Sequence, residues 1–354
     1  MSQPELKTSS GFAALWQLFL TRLREFYRQP EAVFWVYFFP LLMVLALGIA
    51  FRNKPVERIT IDAVRSSSSE NLAETFAQDD RIKFQLLPIE ECQNRLRTGK
   101  SDLYLTLESK SIEYFFDPTR PGSVVARDTV DGLLQRAAGR QDPLTAKNNE
   151  VNESGGRYID FLVPGLIGMG LMGGGLWGVG FAIVDMRIRK LLKRFLATPM
   201  KRTHFLMAVM ASRLVFMIPE MILLVVFSHY AFGVEIYGSW WAIIFLVFLG
   251  AIQFSGIGLL VASRAKTLES VSGLMNLIML PMWTLCGIFF SYERFPDLMQ
   301  PVIKWLPLTP LIDALRAVML EGSTLVDLWP EIAIMSLWGI ACFSLALCWF
   351  RWTD

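Results

Sequence analysis

The sequence predicts an α-helical polytopic membrane protein: six transmembrane helices, with an α/β extracytoplasmic domain between the first and second helices. Three observations carry this. Of 354 residues, 53% are hydrophobic, and the mean hydropathy is +0.40, where a water-soluble chain of this length falls below zero. The apolar excess gathers into six runs of about twenty residues, the length that crosses hydrocarbon as a helix. Between the first two runs lies a polar stretch in which strand and helix patterns alternate.

Residues 1–31 form a cytoplasmic N-terminus with an interfacial helix. From Gly11 to Gln29 the pattern is amphipathic at helical period: Phe12, Leu15, Phe19, Leu23 and Phe26 share one face, and Gln17, Thr21, Arg24 and Arg28 lie opposite. Such a helix lies in the membrane surface and stiffens the entry to the first span; Pro30 ends it. The first span is 32–51, Ala32 to Phe51. It starts too late and runs too long for a cleaved signal peptide.

Residues 52–158 read as the outward α/β domain. Ile59 to Val64 alternates as a strand, Asn71 to Gln78 reads as a helix, Ile82 to Leu87 as a strand and Ile89 to Arg97 as a helix. Asp102 to Leu107 and Ile112 to Phe116 read as two more strands. Pro121-Gly122 reads as a turn and Val124 to Ala137 as a helix. The polar stretch Asp142 to Gly156 reads as a linker. The domain has no His, and its acids are spread rather than clustered, so no catalytic dyad is expected there.

Residues 159–354 hold the remaining five spans: Ile159 to Val184, Phe205 to Phe232, Ser239 to Ser263, Leu268 to Phe290 and Leu328 to Phe350. Lysine and arginine crowd the loops after the second span (Arg187, Arg189, Lys190, Lys193, Arg194, Lys201, Arg202) and after the fourth (Arg264, Lys266). Those loops are therefore cytoplasmic, as are both termini. Between the fifth and sixth spans, 296–320 carries two outward half-helices too short to span, Pro296 to Trp305 and Pro310 to Leu320. Thr309 is placed to cap the second, with Pro310 at its first position.

The string "GLIGMGLMGGGLWGVG" (165–180) contains G-x-G-x-x-G at Gly168, Gly170 and Gly173. A dinucleotide fingerprint needs a strand before it, a helix opening at it and a second strand after it. These glycines lie inside an apolar run, and no G-x-x-x-x-G-K-[ST] occurs in the chain. Gly170, Gly174 and Gly178 recur every four residues on one helix face, which reads as a helix-packing seam.

Two His and four Cys leave little material for a metal site, and no disulfide framework is implied. His204 and His229 lie near opposite ends of one span and cannot cooperate, which weighs against a membrane enzyme. Ionisable residues in lipid are functional suspects. Glu220, after Pro219, and Arg213, seven residues earlier on roughly the same face, are candidate pathway residues, with Asn276 of the fifth span. A structural pair is the competing reading for Glu220.

"RIRKLLKRFLATPMKRT" (187–203) predicts a basic amphipathic helix over 187–198, with Ile188, Leu191, Leu192, Phe195 and Leu196 on one face and Pro199 ending it. It suits either anionic lipid or a partner's groove.

These features resemble the membrane subunit of the type-2 ABC exporter family. "KRFLATPMKRTHFL" (193–206) is similar to the family's coupling segment, and "LPLTPLIDALRAVMLEG" (306–322) to its signature after the fifth span. The resemblance covers nearly the whole chain. The large domain after the first span resembles the drug- and sodium-export subgroup with an extracytoplasmic insertion. Family members often open the coupling segment with an acidic stretch. Here Asp185-Met186-Arg187 stands instead, so only Asp185 carries over as an acidic contact with the ATPase.

The resemblance implies a permease subunit in the cell (inner) membrane, multi-pass, with no ATP site and no cofactor of its own. ATP and magnesium would sit on a partner ABC ATPase, two copies of it, beside a second permease copy or a paralogue, in a lipid bilayer and without nucleic acid. ATPase coupling falls to Asp185, Ile188, Leu191, Leu192, Phe195, Leu196 and Pro199. The alternative is an ATPase-driven mechanotransmission protein that works through its outward domain and carries nothing; six spans with outer half-helices weigh against it.

Overall fold

The computed structural model describes residues 16, 19–21, 24, 26–52, 58–65, 76, 79, 81–108, 111–141, 156–192 and 202–349, of which 32, 52 and 202–208 are described by backbone alone. The chain divides into two compact units, Met1–Arg52 with Asn152–Asp354, and Asn53–Val151.

The smaller unit is a four-stranded sheet. Its strands β1 (Ile59–Val64), β2 (Ile82–Leu87), β3 (Leu103–Glu108) and β4 (Ser111–Phe116) stand in the order β2-β1-β3-β4. β1 pairs parallel with β2 and with β3, and β3 pairs antiparallel with β4. Helix α1 of this unit (Ile89–Arg97) follows β2, and α2 (Pro121–Ala137) follows β4. Pro121-Gly122, read as a turn, is the first turn of α2 instead, because proline at the first helical position loses no hydrogen bond there. Alternation places Ile61, Ala63, Leu103 and Leu105 on one face, where they pack with Phe76 and with Ala126, Val130 and Leu134 of α2. On the other face Arg95 of α1 donates from Nε to the buried Asp62, 2.9 Å away. Of the expected helix Asn71 to Gln78, only Phe76 lies within the described residues.

Cys92 of α1 is buried, and burial pushes its thiol up to about 11. The thiolate, which is the nucleophile, is then scarce at neutral pH. Maleimide at pH 7 is expected to leave Cys92 unmodified in the folded protein and to modify it once urea opens the domain. Equal modification before and after urea would contradict this packing.

The larger unit is helical. Pro30–Val33, a π-helical turn at Phe34–Phe38 and Phe39–Arg52 run on as one helix, α3. Likewise Tyr158–Gly175, a π-helical turn at Leu176–Phe181 and Ala182–Ile188 make α4. Then come α5 (Arg202–Phe232), α6 (Trp240–Arg264) and α7 (Leu268–Leu285). Two short helices, α8 (Gln300–Trp305) and α9 (Leu308–Arg316), precede the last, α10 (Trp329–Trp349).

Among the described residues five helices are long and apolar enough to cross a membrane: Phe34–Phe51, Tyr158–Ile188, Val209–Phe232, Trp240–Arg264 and Trp329–Trp349. The fifth expected span, Leu268 to Phe290, is not among them. Helix α7 stops at Leu285, and its apolar run is diluted by Glu269, two serines and Asn276. The half-helices also differ from the expected bounds. The first starts at Gln300, not Pro296. The second starts at Leu308 and continues through a π-helical turn to Glu321. Thr309 is not its cap; that position is Pro307, and the Thr309 hydroxyl donates to the carbonyl of Ile303 at 2.6 Å.

Helix α4 is buried around most of its circumference, the mark of a central helix. It packs against α3, α5, α6 and α9, and α6 in turn packs against α10. Arginines fasten the helix ends. The last carbonyls of a helix lack partners within it and carry its negative dipole end, so a guanidinium is stabilising there. Arg157, just before α4, donates to Phe232 and Gly233 at the end of α5, at 2.8 and 2.9 Å. Arg187, near the other end of α4, donates to Ala262 and Ala265 at the end of α6, both at 3.0 Å. Arg316 of α9 donates to Gly287, just past α7. Hence α5 runs antiparallel to α4, and α6 runs alongside it in the same direction.

Candidate functional site

Three places in the helical unit gather polar chemistry. The first is the groove between α4 and α5. Arg213 and Glu220 are seven residues apart on α5, two turns, so both side chains leave the same face. Both are buried, 6% and 8% exposed. Their nearest charged atoms, Nη2 and Oε2, lie 3.6 Å apart. A Cβ added at Gly170 would strike the Glu220 carboxylate, one at Gly174 the Arg213 guanidinium, and one at Gly178 the Arg213 stem. The four-residue glycine stripe is therefore a trough for a charged pair, not a seam between two helix backbones. The close backbone approach lies on the next face. Gly175 and Gly180 of α4 meet Phe254 and Gly258 of α6, and a Cβ at any of these glycines would meet main chain.

The charged pair is loosely held. Among the described residues, Nε of Arg213 and Oε2 of Glu220 have no hydrogen-bond partner. A cavity of about 10 Å³ beside Glu220 is lined by Ile167, Leu171, Met217, Met221, Leu224 and Val247. That is room for one water and little else. Tyr37 of α3 borders the same region and donates to the Phe216 carbonyl at 3.2 Å. Asn276 is not brought to this groove; it stands exposed on α7 while Met275 and Met279 face inward.

The second place is the C-terminal end of α4. The helix expected over 187–198 is interrupted. α4 ends at Ile188, and Lys190 adopts φ +59°, the left-handed region that a residue with a Cβ rarely enters. Helical backbone resumes at Leu191 and Leu192. The break redistributes the expected docking face. Ile188 is 43% exposed, Leu192 is buried in the core at 1%, and Leu191 packs against that core. Arg187, read as a base of the loop after the second span, is buried on the end of α6. Asp185 accepts from Arg189 Nε at 2.9 Å, a local pair one turn apart. Phe195, Leu196 and Pro199 lie outside the described residues.

The third place is around the half-helices. Tyr292 donates to Asp313 of α9 at 3.1 Å, and the Arg316 guanidinium lies 3.5 Å over the Phe161 ring. Burial pushes the Asp313 carboxyl up to about 6, against the pull of Arg316 and the Tyr292 hydroxyl. Folding then favours the protonated acid over its ordinary value of 3.8. The resulting stabilisation is full below about pH 4 and is lost as pH rises through about 6. A thermal-denaturation series in detergent is expected to fall across that window, and Asp313→Asn is expected to flatten the fall. An unchanged slope in the variant would assign the titration to another group.

Residues 31–348 match the protein family described as ABC-2 family transporter protein. Over 175 residues the chain is 25% identical to the inner membrane transport permease YhhJ of Escherichia coli, covering 49% of this chain and 47% of that protein. Over 172 residues it is 23% identical to the linearmycin resistance permease protein LnrN of Bacillus subtilis, covering 49% and 44%. Over 196 residues it is 25% identical to the inner membrane transport permease YadH of Escherichia coli, covering 54% and 73%. The chain thus spans about half the length of the first two of these relatives.

Proposed function

The chain belongs to the ABC-2 family of transporter proteins, and from that premise we propose that it is the permease subunit of an ATP-driven exporter. It is a membrane protein; in this reading it forms the translocation pathway, and a separate ATPase supplies the energy. The observation that carries the reading is the extent of the family match, which runs from the first helix to the last and includes both the segment after α4 and the half-helices. The jointed end of α4 at Lys190 supports a lever there, on the side where Arg187, Arg189, Lys190, Arg264 and Lys266 collect.

In the same reading α7 is the fifth span and brings the total to six. Its 18 residues reach about 27 Å, close to the hydrocarbon thickness of about 30 Å. The coupling face is then smaller than the sequence pattern implies: Ile188 with Asp185, and beyond them Phe195, Leu196 and Pro199. Two permeases, identical or paralogous, and two ATPases bearing ATP and magnesium complete the assembly. Both termini are cytoplasmic, and the unit Asn53–Val151 faces outward.

The test is the intact mass of the chain purified in mild detergent after co-expression with the ATPase encoded beside its gene. A complex of two permeases and two ATPases is expected. A chain that binds no candidate ATPase overturns the proposal.

A further inference from the structure

We propose that α6 is the transmission rod of this permease: Arg187 fastens the coupling end of α4 to its inner terminus, and Gln253 fastens the half-helices to its middle. This rests on the exporter reading above and adds the route by which a cytoplasmic push reaches the outer end.

The inner fastening is buried and two-pronged. Arg187 is 8% exposed, and its Nη1 donates to the carbonyls of Ala262 and Ala265, both at 3.0 Å. Ala262 is fully buried and Ala265 is 2% exposed, so water does not stand ready to replace the guanidinium. A side chain without donors would strand those carbonyls at the negative end of the helix dipole. The clamp sits just upstream of the left-handed joint at Lys190. A lever moving beyond that joint therefore acts on α4 and α6 together.

The outer fastening uses the same helix. Gln253 is fully buried, and its Nε2 donates to the Pro307 carbonyl at 2.8 Å, at the junction of α8 and α9. From Ala262 to Gln253 is roughly 14 Å of helix at 1.5 Å per residue. Between the two fastenings, Gly258 of α6 meets the main chain of Gly175 and Leu176, and Gly180 meets the main chain of Gly258. Backbone against backbone leaves no side chain to yield, so this seam is stiff.

The opposite face of α4 is built differently. There Arg213 and Glu220 fill the glycine trough with charged atoms 3.6 Å apart, two polar atoms without a hydrogen-bond partner among the described residues, and a water-sized cavity. Of the two seams, α4–α6 is held by main-chain contact and hydrogen bonds, while α4–α5 is held by movable side-chain ends. Movement is thus directed to the α4–α5 groove, with α4, α6 and the half-helices travelling as one body.

Spin labels test this in the full permease–ATPase complex in lipid nanodiscs, with ATP and vanadate as the probe. The background is Cys348→Ser, since that thiol is exposed. Arg189→Cys and Lys266→Cys carry one label pair; Lys304→Cys carries a single label, and all three positions are exposed. In the parent, vanadate trapping is expected to leave the Arg189–Lys266 distance unchanged and to alter label mobility at position 304.

Arg187→Met is expected to let the inner distance shift by about one helical turn, roughly 5 Å, and to abolish the response at 304. Arg187→Lys, which keeps the charge and one donor reach, is expected to restore the inner distance in part. Gln253→Leu is expected to keep the inner distance and to lose the response at 304. A general loss of folding cannot produce that split. Parental behaviour in Arg187→Met, or an intact response in Gln253→Leu, overturns the rod. A parent that does not hold the ATPase overturns the exporter reading itself.

Discussion

Glu220→Ala is expected to cost about 3–5 kcal/mol of folding stability, enough to keep most of the chain from accumulating in the membrane. The carboxylate is the charge that faces Arg213 in the α4–α5 groove, and both residues are buried. Removing it leaves the guanidinium, set against Gly174 and Gly178, without the carboxylate that faces it among the described residues. The cost is the desolvation of Arg213, not the worth of the pair. The double variant Arg213→Met with Glu220→Leu removes both charges and fills similar volume. It is expected to lie within about 2 kcal/mol of the parent. Thermal denaturation of the purified chain measures both. A double variant as unstable as the single one would mean that the shape of the groove, rather than its charge, was at stake. If the double variant is stable yet the proposed complex with an ATPase no longer couples ATP hydrolysis to movement where the parent's does, the pair is retained for function. That outcome would separate the pathway reading of Arg213 and Glu220 from the purely structural one.

How much of this was written locally in the sequence differs from place to place. The apolar runs announce helices because lipid admits no unpaired backbone, so length and composition suffice. β1, β2 and the helix at Ile89–Arg97 follow from strict alternation and from a change of period. The spacing of Arg213 and Glu220 puts them on one face without any tertiary information. The glycine stripe was legible as a stripe, but its occupant was not. Nothing in residues 170–178 says that side chains forty residues later lie in the trough, because that depends on the register between two helices. Arg187 was misread for a related reason. In a run of five bases within eight residues, the one that turns inward is chosen by where α6 happens to end. Lys190 was illegible outright: a left-handed backbone usually advertises itself by Gly or Asn, and here the position is a lysine with φ +59°. The fifth span is a matter of margin, since α7 ends at Leu285 with the turn into Gly287, whose φ of +81° only glycine adopts readily.

Three consecutive glycines of α4 should respond in three different ways to the same methyl group. At Gly173 an added Cβ meets nothing within 4 Å. Gly173→Ala is therefore expected to be neutral or stabilising by up to about 1 kcal/mol, since alanine is the better helix former. At Gly174 the Cβ strikes the Arg213 guanidinium. Gly174→Ala should displace that group from its trough and cost about 1–3 kcal/mol, and the loss should shrink in an Arg213→Met, Glu220→Leu background, where the obstacle has gone. At Gly175 the Cβ strikes the main chain and Cβ of Phe254 in α6. No rotamer change relieves that contact, so two helices must part. Gly175→Ala is expected to cost about 3 kcal/mol or more, and no change at Arg213 should rescue it. Thermal denaturation of the set, in parent and double-variant backgrounds, reads all of these. Rescue of Gly175→Ala by the change at Arg213 would place residue 175, not 174, against the charged pair. The register of α4 would then be one residue from that described, and the stiff seam that joins α4 to α6 would lose its basis.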